Sequence, residues 1–98
     1  MQIPEKDFYY HYKHDELKGF NHHAYEVVGL VRHSEDESLL IIHLPSYENE
    51  SLAPAQYWTR PIELFFDEVI VNGKALPHFT KITDPETILK LREIRDQF

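Results

Sequence analysis

Seven histidines and a Trp-x-Arg dyad, Trp58 with Arg60, are the residues of this 98-residue chain whose types invite chemistry. A metal centre needs imidazoles or carboxylates that converge from short, regular spacings. The histidines here do not offer that. His11 and His14 are three apart, which on a strand turns them to opposite faces, and His22 and His23 are neighbours in a loop-like segment. No HExxH motif occurs, so neither a metal nor a cofactor is expected. For nucleophilic catalysis the adjacent pairing is His33-Ser34, without a GxSxG elbow, and three glycines in total are too few for a phosphate-cradling loop or a dinucleotide fingerprint. Asp67 and Glu68 are carboxylates on consecutive strand positions and point apart. One enzymatic reading survives, a small hydrolase-like protein with His33 as general base and Arg60 holding an anion. No catalytic residue follows from a motif.

The aromatic residues offer the alternative. Tyr9, Tyr10, Tyr12, Tyr25, Tyr47 and Tyr57, with Trp58, carry polar tips that need partners when buried. An arginine beside a tryptophan suits stacking on an anion, a base or a peptide carboxylate. The plainer reading is core packing, with Arg60 paired to a nearby acid such as Glu63.

Positioning those side chains requires strands. Phe8 to Lys13 is dense in aromatics with no helical period, and Ala24 to His33 is rich in β-branched residues between polar clusters, so both read as strands. The second is apolar on both faces in its middle, which implies cover on two sides, and Gly29 is where it can bulge. Leu39 to Leu44 is a short apolar run, a buried antiparallel partner stopped by Pro45. Residues 46–55 form an acidic loop. Gln56 to Arg60 is a fourth strand on which Trp58 and Arg60 share a face. Pro61 ends it, IELFF allows one helical turn, and Asn72-Gly73 supplies the turn of a hairpin joining Glu68–Val71 to Lys74–Leu76. The tail is helical. Asp84 is the N-cap, Pro85 opens the helix, Thr83 and Glu86 have capping-box spacing, and Ile88, Leu91, Ile94 and Phe98 make one stripe. Short strands followed by one helix predict a mainly β fold, a small curled antiparallel sheet or SH3-like barrel with one C-terminal α-helix.

Composition sets the outer limits. The length predicts one domain over residues 1–98, with a β core at 8–80 and the helix at 85–97. At 42% hydrophobic the chain is too apolar for disorder, while no apolar run reaches the roughly 18 residues of a membrane span. The N-terminal stretch is charged and aromatic, unlike a signal peptide, and cysteine is absent, so a cytoplasmic protein is expected. A net charge of −7 repels phosphate backbones and disfavours nucleic acid as a partner. The outer sheet face or the helix leaves a homodimer contact open.

Three segments, YYHYK, YEVVGLVRHSE and WTRPIELFFDEVIVNGKALPHF, together resemble the bacterial family known as domain of unknown function 1653, over residues 8 to 80. The family's recurrent positions fall on His11, Lys13, Tyr25, Gly29, Arg32, His33, Ser34, Tyr47, Trp58, Arg60, Pro61, Phe65, Gly73, Pro77 and Phe79. This chain departs from the pattern in a longer loop at 14–23, in a SEDES turn without glycine, and in the added helix. The resemblance implies a compact all-β domain and brings no activity with it. Among the recurrent positions Arg32, His33, Trp58 and Arg60 have no ready backbone reason. With Tyr12 or Tyr47 nearby, they form the expected ligand-binding set of a non-catalytic module for a small anionic or peptide-like ligand.

Overall fold

The structure, a computed structural model, describes residues 2–46 and 57–96. Five strands form one antiparallel sheet in the order β4-β3-β2-β1-β7, with β1 Phe8–His11, β2 Ala24–Arg32, β3 Leu39–Pro45, β4 Trp58–Pro61 and β7 Phe79–Lys81. A one-turn helix α1 (Ile62–Phe65) follows β4, and β5 (Glu68–Val71) and β6 (Lys74–Pro77) make a separate hairpin. Helix α2 runs over Pro85–Arg95. The mainly β class with a C-terminal helix is as expected. The two edge strands do not pair with each other, so the sheet stays open and is not closed into an SH3-like barrel.

Register explains how this sheet sorts its side chains. Tyr9 faces Tyr25, Val27 faces His43, His43 faces Trp58, Ile41 faces Arg60 and His11 faces Phe79. Directly opposed residues in an antiparallel pair point to the same side. One face therefore carries Tyr9, His11, Tyr25, Val27, Ile41, His43, Trp58, Arg60 and Phe79. Its centre is a core of Tyr9, Val27 and Ile41, covered by Ile62 and Phe65 of α1. Pro61 ends β4 just before the helix, and the i, i+3 spacing of Ile62 and Phe65 turns both side chains down onto the sheet.

The other face is covered by α2, through a second core of Phe8, Ala24, Ile82 and Leu91. Asp84 caps that helix by accepting from the Thr87 N–H and hydroxyl, and Pro85 occupies its first position. Arg95 is tied to Glu26 of β2 at 2.9 Å. Of the predicted apolar stripe, Leu91 is fully buried and Ile88 and Ile94 are half-buried; Phe98 lies outside the described residues.

Two local predictions resolve clearly. The β2–β3 register shifts between Val27 and Gly29, a bulge at the expected glycine. A Cβ on Gly29 would meet nothing within 4 Å, so the bulge does not require glycine for space. In the hairpin turn Asn72 and Gly73 take φ 51° and 77°, the positive angles a two-residue turn demands. β7 has no counterpart among the strands read from sequence.

Candidate functional site

Beside the α1-covered core, the same sheet face carries a cluster of polar aromatic side chains around Arg60. His11 and His78 meet ring to ring, Nε2 to Nε2 at 3.1 Å, and Arg60 Nη1 lies 3.4 Å from the same Nε2 of His78. The guanidinium sits over the Phe79 ring, 5.0 Å from its centre. Tyr12 stacks obliquely on His11 at 4.4 Å and meets the edge of His78 at 5.4 Å. Tyr25 meets the edge of His43 at 5.3 Å. These side chains come from β1 and the turn after it, β2, β3, β4, the β6–β7 junction and β7, so the cluster exists only once the sheet is assembled.

Backbone hydrogen bonds hold the parts in place. Tyr12 N–H donates to the His78 carbonyl and His78 N–H donates to the Asp67 carbonyl, while His11 N–H donates to the carbonyl of His23. His78 is thus fastened on both sides, to the end of β1 and to the chain after α1.

Burial sets the charge state. Desolvation, then the neighbouring His78, His23 and Arg60, push the His11 imidazole down to about 4. Desolvation with Arg60 does the same to His43, also to about 4. His78 is lowered by desolvation and Arg60, opposed by Asp67 and by a hydrogen bond to the Leu64 backbone. At neutral pH the histidines of this cluster are neutral acceptors and donors around one permanent cation. Among the described residues Arg60 has no carboxylate at ion-pair distance, and its Nε is buried without a hydrogen-bond partner. The pairing with Glu63 that packing alone suggested is absent from those ion pairs.

The six residues singled out from sequence divide. Trp58 and Arg60 share a face as expected, Trp58 45% exposed and Arg60 half-buried. Tyr12 joins them through His78. Arg32 and His33 have other partners, in the β2–β3 turn. Arg32 Nη1 donates to the Glu37 carbonyl, His33 Nδ1 accepts from the Glu35 N–H, and Asp36 lies 3.6 Å from that nitrogen. Tyr47 lies outside the described residues. The reading missed His78, His43, His11 and Tyr25 as site members. His11 and Tyr25 stood among the recurrent positions of the resemblance, and alternation from Ile41 turns His43 to the same side; for His78 the sequence carries no such sign.

A shallow apolar depression lies on the opposite face, lined by Val28, Val31, Ile42, Tyr57 and Thr59. It gathers no charged or titratable group apart from the Tyr57 hydroxyl. No group of three or more histidine, aspartate or glutamate side chains among the described residues is arranged to hold a metal ion. No helix among them is long and apolar enough to cross a membrane.

Comparison with known proteins gives two matches. The model of a family described as protein of unknown function, DUF1653, matches residues 7–81. A crystal structure of a DUF1653 protein from Bordetella bronchiseptica is similar at 23% identity and a TM-score of 0.66, over 87% of this chain and 97% of that one. At that identity the likeness bears on fold alone. No curated protein matches the chain.

Proposed function

The chain belongs to the DUF1653 family, whose function is unknown, and we propose that it is a non-catalytic binding module whose Arg60 cluster takes a small anionic or peptide-like ligand. One observation carries this reading: a half-buried guanidinium beside neutral imidazoles, with no carboxylate partner among the described residues. A desolvated cation without a counter-ion is unfavourable, and an incoming anion relieves it. The Nη end of Arg60 supplies donors to a carboxylate, and the exposed part of Trp58 supplies a flat surface for the ligand's body. The absence of cysteine suits the reducing cytoplasm.

The enzymatic alternative built on His33 gains nothing from the geometry. That ring serves the turn at 33–38, and its hydrogen-bond partners are turn residues.

Titration with benzoate or a short peptide, followed by Trp58 fluorescence and by histidine ring NMR signals, tests the proposal. Saturable changes at Trp58, His11 and His78 that Arg60→Met removes are expected. Unchanged spectra up to tens of millimolar ligand would end it.

A further inference from the structure

The hydrogen atoms of the cluster can be placed from its geometry. The Lys13 N–H donates to His11 Nδ1 at 3.2 Å, so that nitrogen carries no hydrogen, and neutral His11 holds its hydrogen on Nε2. His11 Nε2–H therefore points at His78 Nε2, which accepts it. A guanidinium only donates, and Arg60 Nη1 approaches the same His78 nitrogen. Both neighbours require His78 Nε2 to be bare. The hydrogen of His78 is then on Nδ1, the atom left for the Leu64 backbone. One lone pair thus receives two donors, one neutral and one cationic.

An anion at Arg60 changes the demand on that lone pair. The ligand's oxygens take the guanidinium N–H groups, and His78 Nε2 is released from Arg60. We infer that a monocarboxylate binds at Arg60 together with one proton from solvent, which the His11–His78 pair accepts. The proton goes onto His78 Nε2, no covalent bond to carbon is made or broken, and the imidazolium N–H donates to the ligand. His11 gives up its donor contact to that atom and rotates or changes tautomer. This inference rests on the anion-binding reading and adds the ligand's charge class and the proton.

The surroundings favour a monoanion. Arg60 is the one cation that the described contacts bring onto His78, and the chain as a whole carries −7, so a phosphate dianion would meet one fixed positive charge in a negative field. Around His78, β1 contributes His11 and the turn after it Tyr12, β4 contributes Arg60, and the segment after α1 contributes Asp67, whose charge favours the imidazolium. Around His11, Lys13 and His23 oppose a charge there. β3 contributes His43, which Arg60 also holds neutral. The proton therefore settles on His78, the member with an acid nearby.

Calorimetric titration of the intact chain with benzoate decides the matter, run from pH 8 to pH 5.5 in Bis-Tris and in imidazole at fixed chloride. Both buffers are cations when protonated and cannot occupy an anion site, and benzoate stays ionised throughout. Affinity should rise about tenfold over that range, and the difference in apparent enthalpy between the buffers should correspond to a fractional uptake averaging about 0.4 proton, one decade of affinity spread over the 2.5 pH units. Replacement of His78 by glutamine should leave binding measurable while removing both the pH dependence and the buffer dependence. Binding that is independent of pH and buffer overturns the proton coupling and leaves the anion site standing. Absence of benzoate binding at every pH overturns both.

Discussion

The guanidinium carbon of Arg60 lies over the ring of Phe79, 5.0 Å from its centre, while Phe79 also lies parallel to Phe65 at 4.7 Å. One phenylalanine thus couples the cationic cluster to the core beneath α1. Replacing Phe79 with leucine removes these contacts, together with those to the rings of His11, Tyr25 and His78, and keeps most of the apolar volume. A loss of about 1–2 kcal/mol is expected, read from the denaturant midpoint, with benzoate affinity also reduced because Arg60 loses its support.

His43 is 9% exposed and its Nδ1 has no hydrogen-bond partner. Its imidazole titrates near 4 in the folded protein against 6.5 unfolded, so below 6.5 the unfolded chain binds the extra proton. The stability this represents is complete above pH 6.5 and is lost as pH falls toward 4, on the order of 3 kcal/mol. His43→Leu should flatten that part of the pH dependence, leaving the variant more stable than the parent at pH 5. Equal slopes for the two proteins between pH 6.5 and 4.5 would contradict the assignment.

Histidine ring nitrogen NMR at pH 7.5 should find His11 with its hydrogen on Nε2 and His78 with its hydrogen on Nδ1. The opposite pair of tautomers would mean that Arg60 does not donate to His78.

The two glycines at turns and bulges should respond with opposite signs. Gly29→Ala places a Cβ in open space without a positive φ, and is expected to be neutral or stabilising by up to about 1 kcal/mol. Gly73→Ala forces a side chain onto φ +77° and should cost about 1 kcal/mol. Thermal melts of both variants decide it.

What could be read from sequence was what neighbours in sequence determine. The bulge at Gly29, the Asn72-Gly73 turn, the Asp84 cap and the shared direction of Trp58 and Arg60 all follow from periods of two or from turn chemistry. Arg32 and His33, read from sequence as lacking a backbone role, have one, holding Glu37 and Glu35 in the turn that follows. The cluster around Arg60 was hidden because His11 and His78 meet through the pairing of β1 with β7. β7 is three residues long, too short to show alternation, and nothing local marks it as a strand.

That pairing also bears on how the chain assembles. β2 and β3 are joined by a short turn and close cheaply, whereas β1 and β7 bring together opposite ends of the matched region and bear the largest loop-closure entropy in the sheet. The terminal pairing is the natural last step of folding, and the cluster around Arg60 is completed with it. The assembled cluster then reports the finished sheet: partly folded chains with β2, β3 and β4 paired bring together Trp58, Arg60 and His43 without His11 and His78.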